Sequence, residues 1–306
     1  MSQSRATPSS WAEVDLDAIA HNVRVLKDRV GGSVAVMAMV KANAYGHGAV
    51  PVARAALRGG ASWLGVITVP EGLQLRAAGI TAPVLIAGHM TAGDAALVAE
   101  HDLTPTVNSV PVAQALAGAA RRTGRPIPMH VKVDTGMSRY GLPPDEFVPF
   151  VETLHAEPML RLQGVYTHLA TADDPESTFG DEQVARFSRI VEQLEQRGVS
   201  FEIRHAAASA AAIRLPAARF DMVRVGIALY GLCPSSAVGH EVDLRPALSW
   251  RSRIGRVTTI DAGTPVSYGC TYVAPERRRV ALVTTGYADG YSRAFSNRGI
   301  VLVGGV

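Results

Sequence analysis

Val34-Ala-Val-Met-Ala-Met-Val40, followed by Lys41-Ala-Asn-Ala-Tyr-Gly-His-Gly48, is the stretch that decides the fold. Its apolar run is too short for a packed helix and lies between Gly31-Gly32 and the glycines at 46 and 48. With no polar residue alternating through it, the run reads as a strand buried on both faces, as in a parallel sheet covered by helices. Lys41 stands at its C-terminal end. Upstream, the segment Trp11 to Leu16 alternates, Asp17 reads as an N-cap, and Ile19, Val23, Leu26 and Val30 follow at helical spacing until Gly31 and Gly32 stop them.

Downstream the same alternation recurs. Strand-like runs fall at Trp63 to Ile67, Pro83 to Ala87, Leu103 to Val107, Pro128 to Val133, Leu162 to Thr167, Phe201 to His205 and Asp221 to Val225. Helix-like stretches such as Val110 to Arg122 and Asp181 to Arg197 separate most of them. The pattern predicts an α/β fold of eight parallel strands, a (β/α)8 barrel. An open doubly wound sheet is the rival, but neither GxGxxG nor GxxxxGK[ST] occurs to support it. From about Leu244 the runs become short and alternating, at Arg253 to Ile260, Arg279 to Thr285 and Gly299 to Val303, which predicts a mostly β second domain. The last run reaches Val306 directly after Val-Gly-Gly, so this domain reads as stopped in mid-strand and incomplete.

The 306 residues are 47% hydrophobic and 19% charged, enough for a sizeable core and two domains. Met1 to Ser10 are polar, and no apolar stretch nears the roughly 18 residues a membrane span needs. Cys233 and Cys270 have no CxxC spacing, which points to the cytoplasm. A net charge of +3 without basic clusters argues against nucleic acid, and scattered histidines without HExxH argue against a metal.

A lysine at a strand end is ordinarily just solvated. In a barrel, however, the C-terminal strand ends form the active-site face. A desolvated lysine there is held as the neutral amine that attacks an aldehyde. Arg139 follows the fifth strand, His168 ends the sixth, Ser209 follows the seventh and Arg224 ends the eighth. Each has an ordinary explanation: an ion pair for the arginines, a satisfied core histidine, a helix cap. Their placement at one face weakens all four together. The segment Arg224-Val-Gly-Ile-Ala-Leu-Tyr-Gly231 also suits an anion, because barrels often hold phosphate after strands seven and eight, and Gly226 lets the backbone come close.

The run Ala38 to Gly48 resembles the pyridoxal-phosphate lysine motif of bacterial alanine racemases. The resemblance continues in order through Lys132 to Arg139, Tyr166-Thr-His168, Arg224 to Gly231, Val266-Ser-Tyr268-Gly and Gly286-Tyr-Ala-Asp-Gly-Tyr291. It implies a barrel that binds pyridoxal 5'-phosphate over residues 17–240, a β domain over 241–306 joined by the N-terminal strand segment 1–16, and a homodimer with shared active sites. It implies interconversion of L-alanine and D-alanine, supplying D-alanine for peptidoglycan. By position, Lys41 carries the cofactor and is one acid/base, the base toward D-alanine; Tyr268 of the partner subunit is the other. Tyr45, Ser209, Gly226, Ile227 and Tyr230 correspond to cofactor-holding positions, chiefly at the phosphate. Arg224 corresponds to the partner of the pyridine nitrogen, His168 to a residue hydrogen-bonded near the tyrosine, and Arg139 to one that approaches the substrate carboxylate. Lys132 corresponds to a lysine that is carbamylated in many members.

An arginine at the pyridine nitrogen stays charged and donates, so it disfavours ring protonation and weakens the electron sink, which suppresses transamination. This sequence departs from the family pattern at Ala208-Ser209, where Asn-Ser is common, and in ending before a Met-Asp segment that helps bind substrate. The alternatives are a pyridoxal-phosphate barrel enzyme for another amino acid, a cofactor-binding protein without catalysis, and an inactive fragment.

Overall fold

A computed structural model describes residues 8–305 and divides the chain into two compact units. One runs from Asp15 to Ala247; the other joins the N-terminal segment up to Val14 with the residues from Leu248 onward.

The larger unit is built from β2 (Ala35–Met39), β3 (Trp63–Val66), β4 (Val84–Ile86), β5 (Thr104–Val107), β6 (Ile127–Lys132), β7 (Leu160–Tyr166), β8 (Ile203–His205) and β9 (Met222–Val225). All pair in parallel in the order β8-β7-β6-β5-β4-β3-β2-β9. Between β8 and β9 the Asp221 N–H donates to Arg204 O at 3.0 Å and the Arg224 N–H to Ala207 O at 2.9 Å, which closes the sheet into a cylinder. Each of the eight barrel strands expected from the sequence forms. The helices around it are α1 (Leu16–Val30), α3 (Ala49–Arg58), α4 (Val69–Ala77), α5 (Ala95–Glu100), α6 (Val110–Thr123), α7 (Pro144–His155), α8 (Phe179–Gln196) and α9 (Ser209–Arg214). A short turn, α2 (Lys41–Tyr45), follows β2.

The opening strand shows why the run lacked polar alternation. Val36, Ala38 and Val40 join the core between sheet and helices, while Met37 and Met39 face a second cluster with Trp63, Leu85 and Met222 inside the cylinder. Strand alternation thus sends both sets into apolar surroundings. The helix cap differs from expectation: Asp15, not Asp17, is the N-cap of α1, its carboxylate accepting from the N–H groups of Asp17 and Ala18 at 2.9 Å. Among the described residues no helix is long and apolar enough to cross a membrane.

In the smaller unit β1 (Ser10–Val14) pairs antiparallel with β10 (Leu248–Ser252), from Ser10↔Ser252 to Val14↔Leu248. Two further antiparallel pairs join β11 (Ile254–Ile260) to β14 (Arg278–Val283) and β12 (Pro265–Val266) to β13 (Tyr272–Val273). The expected strand at Gly299 to Val303 does not form. Those residues are irregular and exposed, following a turn in which the Gly299 N–H donates to Phe295 O at 2.7 Å. Apolar alternation makes a strand only beside a partner edge, and none pairs with it among the described residues. The inference of a domain stopped in mid-strand is corrected accordingly.

Asn22 breaks the apolar pattern of α1 yet is fully buried. Its Nδ2 donates to Leu229 O at 3.0 Å and Arg245 O at 2.9 Å, and its Oδ1 accepts from the Arg245 N–H at 2.8 Å. Asn22→Leu is more apolar but leaves these three backbone groups, one of them fully buried, without their partner. It is expected to destabilise the fold by about 2–4 kcal/mol in chemical denaturation; an unchanged midpoint would show that the three bonds carry no stability.

Candidate active site

The residues at the C-terminal ends of the strands line one cleft of about 390 Å³, within the range for a small-molecule site. Lys41, Tyr45, Lys132, Arg139, His168, Ser209, Arg224, Gly226 and Ile227 all contribute to its wall. Tyr230 is brought to the same region from below: it is buried, donates its hydroxyl to Met39 O at 2.8 Å, and its ring lies 4.7 Å from that of Tyr45. Tyr268 belongs to the other unit, in a one-turn 3-10 segment, and is 90% exposed in the single chain.

At the strand-nine end, Ser209 serves no helix cap. Its Oγ accepts from the N–H groups of Gly226 at 3.0 Å and Ala228 at 3.3 Å, drawing the backbone after β9 into a bend. A Cβ on Gly226 would sit 2.7 Å from the Tyr45 hydroxyl, so a larger residue here would displace the tyrosine's hydroxyl end. Here converge a hydroxyl, backbone and tyrosine, a cradle that fits the phosphate of pyridoxal phosphate.

Arg224 occupies the centre. It is buried, and among the described residues no carboxylate lies within ion-pair distance of it. Instead Nη1 donates to His205 Nδ1 at 2.9 Å and His205 O at 3.2 Å, and Nη2 to Thr167 O at 2.8 Å, Ala206 O at 3.0 Å and His168 Nδ1 at 3.1 Å. Its Nε–H has no acceptor among the described residues, leaving one donor on an uncancelled charge beside the cleft. That is the donor an unprotonated pyridine nitrogen accepts, so the ring of the cofactor also fits.

Arginine only donates, and this fixes the histidines. Nδ1 of both His168 and His205 must be unprotonated, which puts the proton of each neutral ring on Nε2. His205 Nε2 lies 2.8 Å from His130 Nδ1 and therefore donates to it, so His130 in turn carries its proton on Nε2, where it meets no partner. His130 fits inside the barrel because β7 has Gly164 opposite it, where a Cβ would stand 2.6 Å from the ring. Burial first, and the Arg224 charge second, lower the imidazoles of His130 and His168 to about 3 and push His205 well below the usual histidine range. Burial likewise lowers Lys132 to about 7, with Arg224 and Arg139 adding to the shift and Asp134 opposing it. Lys132 Nζ faces the rings of Tyr140 and Tyr166 at 5.3 and 5.6 Å. Burial brings Arg224 itself down to about 10, still a cation at neutral pH.

Arg139 is exposed on the loop after β6, which the Asp134 carboxylate organises by accepting from the N–H groups of Gly136 and Met137 at 2.8 Å. The sequence reading missed His130 and His205 as supports of Arg224. Each is a polar residue inside a strand taken as wholly buried, a pattern that by itself does not separate a support from a satisfied core histidine.

A family model described as alanine racemase, N-terminal domain, matches residues 14–234, and one for the alanine racemase C-terminal domain matches 247–306. The second match identifies residues 247–306 with the family's C-terminal domain and so corrects the reading of that segment as a domain stopped in mid-strand. The alanine racemase of Symbiobacterium thermophilum is 46% identical over 296 residues, which are 97% of this chain and 78% of that protein. That of Desulfosudis oleivorans is 44% identical over 97% of this chain and 79% of its own length. Among solved structures, the alanine racemase from Streptomyces lavendulae superposes with a TM-score of 0.92 at 40% identity, over 99% of this chain and 80% of that one.

The imidazole assignments are measurable. In ¹⁵N spectra at pH 5, His130, His168 and His205 are expected to be neutral with Nδ1 bare and Nε2 protonated; an imidazolium at any of the three would break the chain of donors. An unfolded chain protonates these rings below 6.5, whereas the fold keeps His130 and His168 neutral down to about 3. The unfolded state therefore binds more protons in that window. Stability falls as pH drops through it, by up to about 1.4 kcal/mol per pH unit for each histidine.

Proposed function

The chain belongs to the alanine racemase family, and we propose that its activity is carried by Lys41 and Tyr268 as opposed acid/bases around a site centred on Arg224. The enzyme is a pyridoxal-phosphate-dependent alanine racemase that interconverts L- and D-alanine as a homodimer. Pyridoxal phosphate, when bound, supplies the conjugated ring that acidifies the substrate Cα–H. The observation that carries the residue assignment is the convergence of a lysine, an uncancelled buried arginine and a glycine-hydroxyl cradle on one cleft.

In this reading Ser209, Tyr45, Gly226 and Ile227 hold the phosphate, with Tyr230 behind them. Lys41 Nζ is the covalent anchor and moves the Cα proton on one face, acting as base toward D-alanine. Tyr268 Oη moves it on the other, acting as base toward L-alanine. Racemisation demands both, because a single base that removes and returns the proton from one side regenerates the same enantiomer. Arg224 keeps its Nε–H toward the ring nitrogen without offering a carboxylate that would stabilise a protonated ring. The bare Nδ1 of His168 leaves its Nε2–H as a donor for the tyrosine oxygen, and Arg139 receives the substrate carboxylate.

Tyr268 comes from the partner subunit; its exposure in the single chain suits a residue completed by another copy. Lys132 is carbamylated. Its amine, held at about 7, is substantially neutral at working pH and adds CO2 with release of one proton. The resulting anion orients Arg139.

Lys41→Ala and Tyr268→Phe homodimers are each expected to lose racemisation by at least two orders of magnitude. Mixing the two inactive variants with subunit exchange should restore about one quarter of the unaltered activity, since half the dimers are mixed and each holds one intact site. No recovery after verified exchange would place Tyr268 in the same subunit's site or outside it. For Lys132, ¹³C-bicarbonate should give a carbamate signal in NMR that Lys132→Ala removes; a signal that survives the substitution assigns it elsewhere.

A further inference from the structure

Lys41 leaves β2 into a turn of unusual hand. The next four residues, Ala42, Asn43, Ala44 and Tyr45, have φ of +51°, +52°, +55° and +54°. None is glycine, and L-residues avoid a left-handed run because each Cβ crowds the following carbonyl. Most of the turn's polar groups are satisfied locally. The Ala44 N–H donates to Val40 O at 2.8 Å, the Gly46 N–H to Ala42 O at 3.1 Å and the Gly48 N–H to Asn43 O at 2.9 Å.

The exception is the N–H of Ala42, on the peptide that directly follows Lys41. Its acceptor comes from another strand-helix unit: Glu71 Oε1, at 2.7 Å. Glu71 is the third residue of α4, and its other oxygen accepts from the N–H groups of Ile67 at 2.8 Å and Thr68 at 3.1 Å. One carboxylate thus ties the rim after β3 to the rim after β2. Capping α4 accounts for Oε2 alone. It leaves unexplained why Oε1 reaches the peptide next to the lysine.

We propose that Glu71 is a positioning residue for Lys41, its Oε1 clamping the Ala42 N–H so that the left-handed turn persists and the lysine leaves the rim in one direction. A charge-assisted bond to the first peptide of the turn opposes the relaxation that four unfavourable φ angles favour. Without it, the peptide after Lys41 is free to rotate toward the ordinary right-handed region, carrying the lysine's Cα–Cβ direction with it. The proposal rests on Lys41 being the reactive lysine.

The test uses the homodimer with Glu71→Ala, Glu71→Gln and Thr68→Ala. Three quantities are read: hydrogen exchange at the Ala42 amide, the rate at which added pyridoxal phosphate attaches to the protein, and kcat against KM. Attachment is trapped with borohydride and the modified lysine mapped by mass. Glu71→Ala is expected to speed Ala42 exchange by about tenfold or more, to slow attachment at Lys41, and to lower kcat roughly tenfold with KM little changed. Glu71→Gln keeps a carbonyl that can accept from Ala42 and should recover most of both rates; it also carries the test if the alanine variant does not fold. Thr68→Ala removes the hydroxyl that caps α4, leaves Glu71 Oε1 in place, and should match the unaltered enzyme.

Unaltered attachment and kcat in Glu71→Ala would overturn the proposal, as would Thr68→Ala reproducing its losses, because the effect would then belong to the helix cap. Attachment mapped to a different lysine in the unaltered protein removes the Lys41 reading and the proposal with it. That failure is recognisable without any Glu71 variant.

Discussion

The site depends on one burial: a guanidinium, Arg224, inside the barrel without a carboxylate. Taking a cation out of water costs several kcal/mol unless its donors are met. Here four N–H groups are met by three backbone carbonyls and two imidazole nitrogens, all neutral. The hydrogen bonds are satisfied while the charge is not cancelled. Its field therefore extends to its neighbours and contributes to lowering His130, His168, His205 and Lys132. A carboxylate partner would have absorbed most of that influence and would have offered itself as a proton acceptor beside the ring.

The barrel accommodates such a group by dividing its interior. Met37, Met39, Trp63, Leu85 and Met222, from β2, β3, β4 and β9, form an apolar cluster. Thr106, His130, Tyr166 and His205, from β5 to β8, form a polar one in which the Tyr166 and Thr106 hydroxyls lie 2.9 Å apart and Tyr166 stacks on His205. Arg224 sits 5.0 Å above the Tyr166 ring, adding a cation–π contact to its hydrogen bonds. Volume is matched across strands as well, the missing side chain of Gly164 receiving the His130 ring.

The strands were legible because each is apolar on both faces and too short for a helix, so periodicity and length point the same way. Lys41, Arg139, His168, Ser209 and Arg224 were legible because barrel topology sends strand ends to one face. His130 and His205 were not: inside a strand buried on both faces, an inward polar residue has no sequence mark that distinguishes it from a satisfied core group. The left-handed turn after Lys41 escaped for a related reason, since Ala42, Asn43, Ala44 and Tyr45 carry no glycine signal and are held by contacts such as the Glu71 carboxylate, distant in sequence. Gly299 to Val303 was misread because alternation reports a pattern and not the presence of a partner edge. Tyr268 was reached through family resemblance alone; nothing in its spacing distinguishes it from a surface tyrosine.

The arrangement also confines where protons can move. His130 and His168 stay neutral down to about 3, His205 is shifted in the same direction, and Arg224 stays charged up to about 10. Around the ring end of the site, then, no histidine or arginine changes protonation near neutral pH, and the tautomers are locked by donors that run one way from Arg224. Lys132, at about 7, is the exception, and under the proposed carbamylation a fixed anion replaces its titrating amine. Proton exchange with the substrate is left to groups at the rim. Under the proposed assignment those are Lys41 and Tyr268, so the stereochemical outcome rests on their geometry: one turn held against its conformational preference, and one hydroxyl supplied by another subunit.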